Sequence, residues 1–312
     1  MIRGVTVNKM SFGRRVRRDF QKNWVLYLLV LPVVAYYIIF HYVPMYGIQI
    51  AFRKFSFPKG YLRSPWVGLK HFRDFFESFY FGRVLRNTVM ISLLDLIFGF
   101  PAPIVFALLL NEVTKQGFKR TVQTLSYLPH FISLVVLCGM IVNFSASDGL
   151  FNDIIALFGG ERLPLLQISG NFRTLYTASG IWQGLGWGSI VYIAAISGVD
   201  QEQYEAAIID GAGRFQRMWH ITLPGIQPTI IILLILKIGS LMGVGSEKVI
   251  LLYTPATYET ADVISSFVYR MGLQRQDWGY GAAVGLFDSV INMALLVIAN
   301  SVSNRITETG LW

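Results

Sequence analysis

Three ionisable residues, Asp95, Lys237 and Asp288, interrupt long apolar runs of this 312-residue chain, and they are the first candidates for chemistry. A charge at the middle of a bilayer costs roughly 2.5–3.5 kcal/mol on insertion scales, so Lys237 is expected to face a partner or a watery cavity. Asp95 and Asp288 are its candidate counter-ions. Hydrolysis or group transfer would instead need paired catalytic carboxylates, a histidine cluster or an activated serine on facing helices, and the sequence offers none. His41, His71, His130 and His220 are scattered without metal-ligand spacing, and the single Cys138 allows no internal disulfide and reads as packing. No Gly-x-x-x-x-Gly-Lys-Ser/Thr loop is present, so any ATP hydrolysis must come from another chain. The sequence predicts no catalytic residue and no metal site.

A second constellation is polar: Glu205-Ala206-Ala207-Ile208-Ile209-Asp210-Gly211-Ala212, closed by Ile221-Thr222-Leu223-Pro224. A hydrophobic chain has no packing reason to contain it. Helix formers fill 205–210, Gly211 is the residue type that ends a helix in a left-handed turn, and Ala212 to Leu223 can form a second short helix at an angle to the first. Pro224 reads as the stop before an apolar helix, where its missing N–H is tolerated near the first turn.

These residues need elements to position them, and the composition says which. With 54% hydrophobic and 14% charged residues and a mean hydropathy of +0.50, the chain is far too apolar for a soluble domain of this size. Six stretches, about 24–50, 87–111, 121–144, 174–199, 226–252 and 280–303, are long enough to cross roughly 30 Å of hydrocarbon. The expected fold is an all-α membrane protein of six transmembrane helices with both termini cytoplasmic. Residues 1–23 are expected to form a basic cytoplasmic segment, and 24–312 one six-helix transmembrane domain with a cytoplasmic loop at 200–224. The basic N-terminus and the Lys115, Lys119, Arg120 loop favour that orientation. Against it, the outer segment 51–86 carries eight lysines and arginines. The net charge of +9 lies mainly beside the apolar spans, which points to anionic lipid headgroups and away from nucleic acid. The N-terminal arginines before an apolar run resemble a signal peptide, but no small-x-small cleavage signal follows, so the segment reads as retained. Phe12, Val16 and Phe20, four apart, suit a helix on the cytoplasmic leaflet. Phe72, Phe75, Phe76 and Phe79 read either as a helix in the outer membrane interface or as a cap over the bundle.

The spaced Glu-Ala-Ala, Gly and Ile-x-Leu-Pro pattern resembles the cytoplasmic loop of the membrane subunits of ATP-binding-cassette importers of the maltose-transporter, carbohydrate-importing type. Further segments resemble the branch of permeases for complex polysaccharides and uronic-acid oligosaccharides, alginate importers among them. They are His41-Tyr42-Val43-Pro44-Met45-Tyr46-Gly47, Ile97-Phe98-Gly99-Phe100-Pro101-Ala102-Pro103, Leu125-Ser126-Tyr127-Leu128-Pro129-His130-Phe131-Ile132, Tyr258-Glu259-Thr260-Ala261-Asp262-Val263-Ile264 and the terminal Gly310-Leu311-Trp312. The resemblance implies the type I importer permease fold in a bacterial cytoplasmic (inner) membrane. It also implies a second, homologous permease, two ATPase subunits that hold ATP and Mg2+, an extracytoplasmic binding protein and an oligosaccharide substrate. Alternating access would follow from ATP-driven motion passed through the loop. Glu205, Ala206, Ala207, Asp210, Gly211, Ala212, Phe215, Ile221, Leu223 and Pro224 would dock the ATPase.

Lys237 stands where that pattern carries a small or uncharged residue. It is expected either to pair with an aspartate or to lend positive potential to a pathway for acidic sugars, with Asp95 and Asp288 beside it. Trp182, Trp187 and Tyr192 could stack on sugar rings or anchor the chain at the membrane boundary. Gly180, Gly184 and Gly188, with Gly239 and Gly243, suit close helix packing or a sliding surface. An ion-coupled secondary transporter is the competing reading, resting on Asp95 and Asp288 as coupling carboxylates; it would usually show internal repeats, which the sequence lacks. A membrane-embedded enzyme is the third, and no catalytic constellation supports it.

Overall fold

The computed structural model describes residues 12–312, with no side-chain description at residue 12 or at 14–18. The expectations for residues 1–11 and for the side chains of Phe12 and Val16 lie outside these, while the rest of the basic segment is helical up to a kink at Asn23. Among the described residues there is no β-strand; a single bridge joins Arg53 and Trp66. The expected all-helical class is therefore observed.

Among the described residues three helices are long and apolar enough to cross a membrane: α1, whose apolar span is Asp19–Phe52 with a kink at Asn23, then, after a short α2 (Lys70–Phe76), α3 (Phe81–Asn111), and the last helix, Trp278–Thr307. Two bent pairs raise the number to five. The first is α4 (Gln116–Phe131) with α5 (Leu134–Phe144), which meet at 98°. The expected straight span 121–144 is thus a broken one. Pro129 lacks the N–H an α-helix interior needs, and Ser133 starts a fresh helix by accepting the Val136 N–H with its hydroxyl. The central helix α6 (Phe172–Ser197) has 26 residues, enough length for a span, but its glycines, serines and tryptophans leave it less apolar.

The loop helices α7 (Gln201–Ile209) and α8 (Arg214–Gly225) follow, and α8 meets α9 (Gln227–Gly239) at 61°. The break falls at Ile226, so Pro228, and not Pro224, opens the apolar helix. The expected span 226–252 is also interrupted. Residues 240–245 are non-helical, and α10 (Ser246–Leu252) resumes beyond them. Such backbone is tolerated at membrane depth only where protein or a water-filled cavity surrounds it. The chain closes with α11 (Trp278–Thr307).

Two features set the geometry of the interior. In α3, Pro101 and Pro103 cannot donate to the carbonyls four residues back, and the preceding turn widens over Asp95–Gly99, with Phe100 N–H donating to the Asp95 carbonyl at 2.8 Å. A side chain at Gly99 would collide with the Asp95 carboxylate, so glycine lets that carboxylate lie back along its own helix. In α6, Gly186 meets the Ser126 backbone and Gly188 leaves 3.1 Å between a notional Cβ and Pro103 Cγ; Gly239 of α9 is likewise filled by Leu296 of α11. Close packing is what these glycines serve. Gly184 has no neighbour within 4 Å and faces open space.

At one end of the bundle, Phe75 is 1% exposed, wedged among Phe81, Phe267, Tyr280 and Phe287. Helix α2 therefore caps the bundle, while Phe76 and Phe79 stay exposed. Beside it, Asp262 is fully buried and receives Arg83 at 3.0 Å, Arg270 at 2.7 Å and the Ser266 hydroxyl at 2.9 Å. Asn87 donates to the Asp262 and Glu259 carbonyls, and Arg173 donates to Asn87. This clamp fastens the segment 258–264 to α3 and α6.

Candidate docking surface and translocation cleft

The loop 200–224 is built from its caps inward. The Asp200 carboxylate accepts the Glu202 N–H at 3.0 Å and starts α7. At the other end Gly211 N–H donates to Ile208 O at 3.0 Å and Ala212 N–H to Ala207 O at 2.8 Å, the paired bonds of a Schellman turn. Gly211 sits at φ +79° with nothing within 4 Å of where a Cβ would lie, so its requirement is one of backbone conformation alone. Gly213 N–H then donates to Gln216 Oε1 at 2.7 Å to open α8. The Tyr204 and Thr222 hydroxyls hydrogen-bond at 2.9 Å and tie α7 to α8 across the turn. The two short helices form one stiff piece.

Its inner face is fixed to the bundle. Tyr204, Met218, Ile221 and Leu223 pack on a cluster that includes Ile104, Tyr192, Ile196 and Ile226. Ile221 and Leu223 thus turn toward the chain's own core, while Glu205, Ala206, Asp210, Gly211, Phe215 and Pro224 are exposed and Ala207 and Ala212 half-buried. The outer face also carries residues that sequence reading passed over: Ile208, Ile209 and Trp219 are 56%, 86% and 65% exposed, beside Phe215 at 80%. Four large apolar side chains are thus exposed on a loop that is otherwise polar. The available signal was the isoleucine pair directly before the Asp210-Gly211 cap, since no packing partner in sequence explains it.

The second region is a cleft of about 520 Å3 between α3, α6 and α9, lined in part by Asp95, Pro103, Gly180, Gly184, Gly188, Tyr192 and Lys237. Among the described residues Asp95 and Lys237 are its only charged lining groups, and they form an ion pair, each about two-fifths exposed. Both sequence alternatives for Lys237 therefore meet at one place: it is paired, and it lines open space. The bend at Ile226 separates Lys237 from Pro224, so the two do not lie on one straight helix.

Asp288 is elsewhere. On α11, it accepts a long 3.4 Å bond from Asn292, its other oxygen is buried without a partner, and it forms no ion pair with Lys237. The three aromatic candidates are not one platform, because steps of five residues turn each by about 140° around α6. Tyr192 is 4% exposed and reaches the cleft. Trp187 lies flat on His130 at 4.4 Å, and Trp182 lines a separate apolar pocket with Met140, Phe144 and Phe151.

Residues 99–308 match the family described as "binding-protein-dependent transport system inner membrane component". The chain belongs to this family. This inner-membrane component is 46% identical to protein LplB of Bacillus subtilis (strain 168), over 97% of the chain and 94% of that relative. It is 44% identical to the polygalacturonan/rhamnogalacturonan transport system permease protein YteP of the same organism, over 92% of the chain and 90% of that relative. It also superposes with a TM-score of 0.88, at 43% identity, on a chain of the crystal structure of a bacterial ABC transporter involved in the import of the acidic polysaccharide alginate. That match covers 94% of this component and 99% of the other chain. A second crystal structure, of the bacterial alginate ABC transporter in complex with alginate pentasaccharide-bound periplasmic protein, matches equally, over 95% and 100% of the two chains. The resemblance read from the spaced loop and the branch segments is upheld. The component is a transport permease of the carbohydrate ABC-importer kind.

Proposed function

We propose that this chain forms one half of the translocation pathway of an ATP-driven importer for oligosaccharides, acidic ones derived from pectin or alginate being the favoured class. It crosses the bacterial cytoplasmic membrane six times with both termini inside, α6 and the two bent pairs counting as spans. A second permease completes the pathway, two ATPase subunits hold ATP and Mg2+, and an extracytoplasmic binding protein delivers the sugar. The chain itself catalyses nothing. The substrate class is supported by the names of YteP, at 44% identity, and of the alginate importer, at 43%.

The observation that carries the reading is the rigid loop 200–224, whose Schellman turn holds exposed Ile208, Ile209, Phe215 and Trp219 in fixed relation to Glu205 and Asp210. A stiff lever anchored on the bundle through Ile221 and Leu223 can pass ATPase motion to α6 and α9. Ala206 and Ala207 allow close seating in a groove. In the cleft, Lys237, Asp95 and Tyr192 are the pathway residues; Trp182, Trp187 and Asp288 serve packing at its flanks.

Uptake by liposomes that hold the chain with its neighbouring permease and ATPase tests this. Oligosaccharide should enter only with ATP inside and binding protein outside. Uptake driven by a proton or sodium gradient in the lone chain would overturn it in favour of a secondary transporter.

A further inference from the structure

A second, smaller cavity of about 130 Å3 adjoins the cleft where α9 breaks before α10, and the two share Asp95, Lys237 and Ser240. Ser92 and Tyr176 add polar lining. Directly behind the Tyr176 ring stands a lysine that the sequence reading did not single out. Lys248 is 8% exposed, donates to the Tyr176 carbonyl at 2.8 Å and lies 4.6 Å from the centre of the Tyr176 ring. Among the described residues no carboxylate pairs with it; the ion pairs are Asp262 with Arg83 and Arg270, Asp153 with Arg162, and Asp95 with Lys237. Gly180 keeps its place open, since a Cβ there would sit 3.3 Å from Lys248 Nζ.

The charges around the cavity do not cancel. Two ammonium groups and one carboxylate leave one positive charge in excess, in a low-dielectric wall where such a charge is costly unless something negative comes to it. Asp95 is the group most easily displaced, because its pair with Lys237 is partly open to the cleft whereas Lys248 is held from behind by a carbonyl and a ring.

We propose that this cavity is a subsite for the carboxylate of a uronate ring. The ring lies in the larger cleft, Lys237 exchanges Asp95 for the sugar's carboxylate, and Lys248 supplies the uncompensated positive charge behind Tyr176. The inference rests on the importer reading and deepens it, by locating in this chain a determinant of preference for acidic over neutral sugar.

Calorimetric titration of the purified complex of both permeases and the ATPase pair, without binding protein, tests it with trigalacturonate and its methyl ester as probes. Trigalacturonate should bind saturably and the ester at least tenfold more weakly. Lys237→Met should weaken trigalacturonate about tenfold or more, the scale of one hydrogen bond to a charged group, and Lys248→Met by a smaller, severalfold factor through its lost charge. Lys237→Arg and Lys248→Arg should retain most of the binding. Asp95→Asn should strengthen it, an opposite sign that a merely structural role for the pair cannot produce. Equal binding of acid and ester, no saturable binding at millimolar concentration, weakening by Asp95→Asn, or indifference to Lys248→Met would each overturn the proposal. ATP hydrolysis stimulated by loaded binding protein, measured on the same preparation, separates the two levels. Stimulation without trigalacturonate binding removes only the subsite, and no stimulation in the wild-type complex removes the importer reading.

Discussion

Among the described residues Asp262 and Asp95 both make ion pairs within the helical bundle, and they do opposite things. Asp262 is fully buried and saturated, with two arginines and a serine hydroxyl on its carboxylate and Asn87 donating to its carbonyl and that of Glu259. Asp95 has one lysine, is about two-fifths exposed, and lies on a widened turn beside open space. A buried carboxylate with every lone pair occupied has one arrangement available to it. A half-exposed pair at a cavity wall can be opened at little cost, which is what a pathway that must pass a sugar requires.

The comparison can be broken by substitution, beginning with the clamp. Asp262→Ala leaves Arg83 and Arg270 without their carboxylate and should cost about 3–5 kcal/mol, seen as a large fall in the melting temperature of the purified complex or as failure to assemble. A loss under roughly 1 kcal/mol would mean that water replaces the carboxylate and that the clamp is not dry. Arg270→Ala should cost less, about 1.5–3 kcal/mol, because Arg83 still holds the charge; it also removes contacts with the Tyr258 and Phe267 rings, 5.0 and 5.5 Å away. At the other site, Lys237→Met and Asp95→Asn should each change thermal stability by under about 1 kcal/mol, and the double substitution should be close to wild type. If the Lys237 variant melted as early as the Asp262 variant, the contrast between fixed and exchangeable pairs would collapse.

Much of this architecture was legible in the sequence, for a physical reason in each case. Apolar run length announces a bilayer-crossing helix, and the Asp210-Gly211-Ala212 cap announces a left-handed turn because few residues other than glycine reach φ +79° without strain. The breaks were less visible. Pro129 and Ser133 together spell a stop and a restart, yet hydropathy averages over them and returns one span. The six non-helical residues at 240–245 carry the same lesson, with Gly243 and Gly245 as the only local hint. Long-range pairing was not legible at all. The segment Tyr258–Ile264 attracted notice only by resemblance, because two of the side chains that fasten it, Arg83 and Asn87, lie more than 170 residues earlier in the chain. Lys248 escaped for a related reason: near the end of an apolar run it looks like a boundary residue, and only the fold puts it behind Tyr176. Phe75 likewise shows the limit of periodicity, which puts it with Phe76 and Phe79 on an amphipathic helix but cannot say that α11 and Phe267 will bury it.

The docking loop is where the account is most exposed to test, and Gly211→Val tests it without disturbing any neighbour, since no atom lies within 4 Å of the new Cβ. Forcing a β-branched residue to φ +79° costs roughly 1–2 kcal/mol or more and should re-aim α8 against α7. The decisive measurement is ATP hydrolysis by the reconstituted complex in liposomes, with and without loaded binding protein. We predict that Gly211→Val assembles at normal levels, keeps its basal hydrolysis and loses stimulation by about tenfold or more, with Gly211→Asn intermediate. Full stimulation by Gly211→Val at normal complex levels would contradict the claim that this rigid loop couples the chain to its ATPase.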